Sequence, residues 1–114
     1  MMTIYQKPSC STCREVYRIL KEAGVDVESV NYFIDPIPRK KLKELLGKMG
    51  MKPRALLRAK EPLYKSLGLD SGTQTDDDIL DLLVKHPELL QRPIVEKGSK
   101  AILARPAEKI RELL

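Results

Sequence analysis

The order of elements in the first 33 residues is the feature that most constrains the fold. Residues 2–5 form a short β-prone stretch, and the Pro-Ser-Cys-Ser run at residues 8–11 breaks this pattern. Over residues 11–23 the apolar side chains recur at helical spacing, and Gly24 suits the left-handed end of a helix. Residues 27–33 favour a second strand. A strand, a loop, a helix and a strand in this order predict the opening of an α/β domain.

The middle of the chain, residues 38–90, is predicted to be mainly helical. An amphipathic helix is expected over residues 39–49, and short helical turns are expected after Pro53 and over residues 61–69. A further helix should begin at Thr75, because a capping side chain is followed there by three aspartates that complement the helix dipole. It should end near Pro87.

The β pattern returns near the end of the chain. Residues 93–96 and 101–103 are separated by a turn and predict a hairpin. Pro106 then suits the first turn of a last helix, whose expected buried face is Ile110, Leu113 and Leu114. The 114 residues fit one domain over 1–114, with no linker long enough to divide it.

The composition is that of a globular protein, with 42% hydrophobic and 32% charged residues. With no Trp and one Phe, the core should consist mostly of Leu, Ile and Val. The net charge of +5 comes from basic residues interleaved with acidic ones, which indicates a solvated surface rather than direct binding of nucleic acid. No apolar run approaches the roughly 18 residues that span a membrane, and the first residues do not resemble a signal peptide. We therefore expect a cytoplasmic protein with no membrane partner, in which two cysteines do not form a permanent bridge.

Cys10 is the candidate nucleophile, since it stands at the predicted start of the first helix. A helix N-terminus carries unpaired N–H groups and about half a positive charge, which stabilise a thiolate. The same N–H groups can hold an anion. One site could therefore activate the sulfur and bind an anionic substrate.

Cys13 lies one turn further along and could form a disulfide with Cys10, so it is the candidate resolving thiol. A zinc site is a rival interpretation, but zinc prefers four ligands and the only histidine is His86. Two inert buried cysteines are a second rival, which the position between strand and helix disfavours. Lys7 could add positive potential, although a surface lysine is the favoured interpretation.

Four landmarks resemble the glutaredoxin-dependent arsenate reductase family and its relatives, including the Spx-type transcription regulators. Their order and spacing match the family over essentially the whole chain. They are Ile4-Tyr5-x-x-Pro8-x-Cys10-x-Thr12-x-Arg14, Arg54-Ala55-Leu56-Leu57-Arg58, His86-Pro87-x-Leu89-x-x-Arg92-Pro93-Ile94-Val95 and Ala104-Arg105-Pro106.

The resemblance implies an α/β, thioredoxin-like fold, with a small mixed β-sheet flanked by helices and a helical insertion between strands 2 and 3. It implies that Cys10 attacks arsenate or a related oxyanion, and that Arg58, Arg92 and Arg105 are the oxyanion-binding arginines. The planar donor fork of arginine matches a tetrahedral oxyanion.

Further expectations follow from the same resemblance. Pro93 is implied to be a cis-proline facing the active cysteine. With Ser11, Thr12 and Arg14, it completes the candidate substrate-binding residues. No bound cofactor or metal is expected. An external thiol donor, glutathione with glutaredoxin or thioredoxin, is the expected redox partner, and the chain is expected to be a monomer.

The chain departs from the family's reductases at two positions. Gln6 stands where they carry a histidine that helps to stabilise the thiolate, and Cys13 stands where the type members have another residue. The cysteine at position 13 indicates that an internal disulfide could replace a glutathione adduct during recycling.

The sequence is compatible with three functions. The first is a thiol-dependent reductase of arsenate or a related oxyanion, which the three arginines favour. The second is a thiol–disulfide oxidoreductase with protein or glutathione substrates, which needs only Cys10 and Cys13. The third is an Spx-type redox-sensing regulator that binds RNA polymerase, which the reductase-like Ala104-Arg105-Pro106 favours less.

Overall fold

A four-stranded mixed sheet organises the protein, whose computed structural model describes residues 1–114. The strands lie in the order β2-β1-β3-β4. Strand β1 pairs with β2 in parallel and with β3 in antiparallel orientation, and β3 and β4 form the predicted hairpin. The strands are Met2–Gln6 (β1), Val27–Asn31 (β2), Ile94–Lys97 (β3) and Lys100–Leu103 (β4).

Most helices lie between β2 and β3 in the chain, so the predicted helical insertion is confirmed. The α-helices are Ser11–Glu22 (α1), Arg39–Met49 (α2), Pro62–Ser66 (α3) and Asp76–Lys85 (α4). Short 3₁₀ helices span Pro53–Leu56, Leu69–Ser71, Pro87–Leu89 and Ala107–Leu113. The chain divides into two compact units, which we call the sheet unit (residues 1–35 and 92–114) and the helical unit (residues 36–91). No helix combines the length and the apolar composition that crossing a membrane requires.

The core of the sheet unit joins one face of the sheet to α1 and to the C-terminal 3₁₀ helix. Alternate residues of β1 point into it, as the period of two along a strand requires. As predicted, Ile110 and Leu113 are buried, but the prediction for Leu114 was wrong, because its side chain is 49% exposed. Leu114 is the last residue of the chain, and the helical spacing used to predict its burial does not hold in a 3₁₀ helix. The buried members of this core are Met2, Ile4, Val16, Ile19, Leu20, Val95, Ala104, Ile110 and Leu113.

Helix α1 has clear start and stop signals. Cys10 is its N-cap, in an extended conformation, and no residue of the first turn is acidic. Ala23 is its C-cap, and Gly24 follows with φ of 73°, the left-handed conformation that glycine adopts without a steric cost. Arg18 pairs with Glu15 and Glu22 on the exposed side.

Strand β2 is shorter than predicted, since it ends at Asn31 rather than continuing to Phe33. The Asn31 side-chain oxygen accepts the backbone N–H of Phe33 at 3.1 Å. Such a local bond competes with the strand ladder and favours a turn. Residues 32 and 33 therefore lie in a turn directly after the strand.

Side-chain hydrogen bonds, to the backbone and to other side chains, stabilise the helical unit. Thr75 and Asp78 form a full capping box at the start of α4, as the sequence around Thr75 predicted. Arg54 donates to the carbonyl of Leu69 and to the side chain of Gln74, both at 3.0 Å. Part of the second landmark therefore has a structural role within this unit.

Candidate active site around Cys10

Cys10 lies in the loop between β1 and α1, directly before the first residue of the helix. The backbone N–H of Cys10 donates to the carbonyl of Lys7 at 2.9 Å, which closes the turn. The Sγ atom accepts the backbone N–H of Cys13 at 3.4 Å, in the position of an N-cap side chain. Cys10 is half-buried and unbridged, so its sulfur is held by the helix and still reachable.

The surroundings of Cys10 favour its thiolate. Partial burial is the largest single influence and opposes ionisation, whereas hydrogen bonds from the Cys13 side chain and backbone N–H favour the thiolate. A hydrogen bond and the positive charge from Arg92 act in the same direction, so the pKa of Cys10 lies below its ordinary value. A thiolate is the form that attacks an electrophile.

Cys13 has the opposite environment. Its side chain is fully buried, and this burial is the main reason why the pKa of Cys13 is raised to about 12. The neighbouring Cys10 raises it further, whereas a backbone hydrogen bond at Lys7 and the charge of Arg92 lower it. At neutral pH the pair therefore consists of an accessible, activated sulfur and a buried, protonated one.

Arg92 brings its guanidinium to this sulfur from the segment that enters β3. It hydrogen-bonds Cys10 and Tyr32, while its Nε is buried without a hydrogen-bond partner. The peptide bond that follows, Arg92–Pro93, is cis, as the resemblance implied. Arg105 donates from Nη1 to the carbonyl of Arg92 at 3.1 Å. Arg105 thus lies beside Arg92, with its side chain exposed.

The other predicted substrate-binding residues lie around the start of α1 and of β3. Ser11 and Arg14 are exposed and Thr12 is half-buried in the first turn of α1, while Pro93 is buried. Arg58 belongs to the helical unit, where its backbone N–H donates to the carbonyl of Leu89 at 2.7 Å. The roles assigned to all of these residues stay predictions.

Comparison with known proteins places the chain in a family. The model of the ArsC family matches residues 5–113. The chain belongs to the ArsC family. An arsenate reductase from Neisseria meningitidis serogroup A is 38% identical over 112 residues, covering 97% of this chain and 96% of that protein. An arsenate reductase from Escherichia coli K12 is 36% identical, covering 99% of this chain and 80% of that protein.

Solved structures agree with this assignment. The arsenate reductase from Vibrio cholerae superposes with a TM-score of 0.94 at 34% identity, covering 99% of this chain and 97% of that one. The predicted thioredoxin-like fold and the predicted class, an arsenate reductase-like oxidoreductase, are confirmed at this level.

Gln6, the first departure from the reductase pattern, hydrogen-bonds the neighbouring strand of the sheet. It is buried, and its Nε2 donates to the Ser29 hydroxyl at 2.5 Å on the neighbouring strand. The neighbours that lower the pKa of Cys10 are Cys13 and Arg92, not Gln6. The His, Cys, Asp and Glu side chains form no cluster of three that could hold a metal ion.

Sequence reasoning missed the aromatic pair Tyr32–Phe33 as part of the site. Tyr32 hydrogen-bonds Arg92, and the Phe33 ring lies under both Lys7 and Arg92. A signal was available, because a parallel pairing of the first two strands brings their carboxyl ends to one edge of the sheet. The residues after β2 must then lie near those after β1, where Cys10 stands.

Proposed function

We propose that this chain is a thiol-dependent reductase of arsenate or a closely related oxyanion, with Cys10 as nucleophile and Cys13 as resolving thiol. The observation that carries the proposal is the unequal pair of sulfurs beside a guanidinium. Cys10 is accessible with a lowered pKa, Cys13 is buried with a raised pKa, and Arg92 contacts Cys10.

The first step is attack of the Cys10 thiolate on the arsenic atom. A sulfur–arsenic bond forms, and one arsenate oxygen leaves as water after it is protonated. The charge of the remaining oxygens faces the amides at the start of α1 and the guanidinium of Arg92, which suits hydrogen bonding to an oxyanion. Arg105, which donates to the carbonyl of Arg92, is proposed to add a further donor.

The second step moves two electrons. The Cys13 sulfur, once deprotonated, attacks the Cys10 sulfur; a disulfide forms, the sulfur–arsenic bond breaks, and its electron pair leaves with arsenic as arsenite. Two thiols of an external donor, glutathione with glutaredoxin or thioredoxin, then reduce the Cys10–Cys13 disulfide and become a disulfide themselves. Arsenic is reduced by two electrons and the donor is oxidised by two.

The test is arsenate-dependent oxidation of NADPH, coupled through glutathione reductase with glutaredoxin, or through thioredoxin reductase with thioredoxin. We expect turnover with at least one system, its loss in Cys10→Ser, and a strong decrease in Cys13→Ser. Arg111→Ala is a matched control, because Arg111 is an exposed arginine of the C-terminal 3₁₀ helix. No arsenate-dependent turnover with either system would refute the proposal.

The Cys10–Cys13 pair itself favours a second candidate, a thiol–disulfide oxidoreductase, since such an enzyme needs this pair alone. The two candidates differ in their need for arginine. Reduction of a disulfide substrate that is unchanged in Arg92→Ala, without arsenate turnover, would favour this second function. Arsenate turnover that falls with Arg92→Ala supports the first.

A further inference from the structure

The turn after β2 is built to present one aromatic ring in a fixed place. The Asn31 side chain accepts the Phe33 N–H at 3.1 Å. The Asn31 carbonyl accepts the backbone N–H groups of Ile34 at 3.0 Å and Asp35 at 2.9 Å. Three hydrogen bonds to one residue hold the turn, and Phe33 lies inside it.

Phe33 is the only phenylalanine of the chain, and two cations lie over its ring. The Lys7 Nζ is 4.8 Å from the ring centroid, and the Arg92 Cζ is 5.7 Å from it. Both distances fall within the roughly 6 Å over which the electron-rich face of a ring attracts a cation. The ring therefore attracts two positive charges that would repel each other.

Tyr32 supports the same guanidinium from the neighbouring position. Tyr32 is 2% exposed, and its ring centroid lies 5.1 Å from that of Phe33 at an interplanar angle of 34°. Its side chain hydrogen-bonds Arg92. The Arg92 Nε is buried and has no hydrogen-bond partner, so it does not fix the plane of the guanidinium. The aromatic contact and the bonds to Tyr32 and Cys10 hold that plane instead.

We propose that Phe33 is a positioning residue, whose ring holds the Arg92 guanidinium against the Cys10 sulfur and orients it for the oxyanion. The hold on the sulfur does not depend on the substrate, whereas the orientation toward the oxyanion rests on the proposed function. In this proposal Phe33 acts on the sulfur indirectly. Its effect on Cys10 passes through Arg92.

The test compares Phe33→Leu with the conservative variant Phe33→Tyr. Leucine keeps an apolar side chain without a π face, whereas tyrosine keeps the ring. The rate of Cys10 alkylation by iodoacetamide, measured against pH, reports the thiolate, and protection by arsenate or unreactive sulfate reports oxyanion binding. We expect Phe33→Leu to slow alkylation below the wild-type midpoint pH by about twofold to tenfold and to weaken protection similarly, which is the range of a cation–π contact. Phe33→Tyr should keep both the alkylation rate and the protection close to those of the wild type.

A double-mutant cycle separates positioning from a general loss of structure. Phe33→Leu should have no further effect on alkylation when Arg92→Ala is already present, because the ring acts through that guanidinium. The proposal would be overturned if Phe33→Leu slowed alkylation equally in the wild-type and Arg92→Ala backgrounds. It would also be overturned if the effect of Phe33→Leu disappeared in Lys7→Met but not in Arg92→Ala. Thermal unfolding checks that each variant is folded at the assay temperature.

The readouts also distinguish this proposal from the proposed function. A chain without arsenate turnover, in which Cys10 alkylation still depends on Phe33 through Arg92, would refute the reductase and leave the positioning role standing. A chain that reduces arsenate normally with Phe33→Leu, and with unchanged alkylation, would refute the positioning role alone.

Discussion

Replacing Arg92 by alanine should make Cys10 markedly less reactive, and the structure allows the size of the effect to be worked out. Arg92 contributes a hydrogen bond and a positive charge to the Cys10 thiolate. Hydrogen bonds to charged groups contribute about 1.5–3 kcal/mol. Because Cys10 is only partly buried, solvent screens the interaction and the lower end applies. About 1.4 kcal/mol corresponds to a factor of ten, so the thiolate should become about tenfold rarer relative to the thiol.

The assay is the rate of iodoacetamide alkylation of Cys10 as a function of pH. Below the wild-type midpoint the rate is proportional to the thiolate fraction, so Arg92→Ala should be alkylated about tenfold more slowly there. Arg92→Lys keeps a charge but loses the planar donor fork, so its alkylation rate should lie between those of the wild type and Arg92→Ala. Arg111→Ala removes an exposed arginine of the same sheet unit and should leave the curve unchanged.

One result would refute this reasoning. If the alkylation curve of Arg92→Ala superimposes on that of the wild type, the helix N-terminus alone holds the thiolate. The contact between Arg92 and Cys10 would then have no electrostatic consequence, and an arginine role in the site would have to rest on substrate binding only.

Three further outcomes are expected. In wild type, Cys10 alkylation should rise through a midpoint below that of an ordinary cysteine, because its pKa is lowered, while Cys13 stays unmodified until the pH approaches about 12. Fragmentation spectra of the tryptic peptide that holds both cysteines, recorded against pH, distinguish the two sites. Leu20→Ala should lower the free energy of unfolding by about 2–5 kcal/mol in urea, because that side chain is 0% exposed in the core of the sheet unit. Thr75→Ala should cost about 1 kcal/mol through loss of the capping box on α4, and Asp78→Asn, which keeps a hydrogen-bonding side chain, should cost less.

The sequence predicted the local parts of the site well, because their physics is local. The start of α1, its N-cap cysteine and its end before Gly24 depend on neighbouring residues only, and the structure has each of them. The capping box at Thr75 is predictable for the same reason. Spacing alone also placed Cys13 one turn from Cys10.

The surroundings of Cys10 could not be predicted in the same way, because residues distant in the chain supply them. The contact between Arg92 and Cys10 depends on the pairing of β1 with β3. The contact between Phe33 and Arg92 depends, in addition, on where β2 ends. Propensity favoured a strand to Phe33, but the Asn31 side chain captures the Phe33 N–H and ends the strand there. Phe33 therefore lies in the turn after β2 rather than in the strand, and its ring lies beside Arg92.

The unequal exposure of the two sulfurs predicts which of them attacks a disulfide from solution. The Cys13 side chain is 0% exposed, whereas Cys10 is reachable and carries the lower pKa. With oxidised glutathione, the Cys13→Ser chain should therefore form a mixed disulfide at Cys10, with one glutathione added per chain.

The Cys10→Ser chain should take up no glutathione over the same time under native conditions, since Cys13 is both buried and protonated. In urea both variants should react at similar rates, because unfolding removes the difference in burial. Intact-protein mass spectra measure the adducts. Equal native rates would mean that the first turn of α1 opens often enough for solution disulfides to reach Cys13. Burial would then not determine which sulfur reacts with the disulfide, and the order of the two thiols in the proposed cycle would have no structural basis.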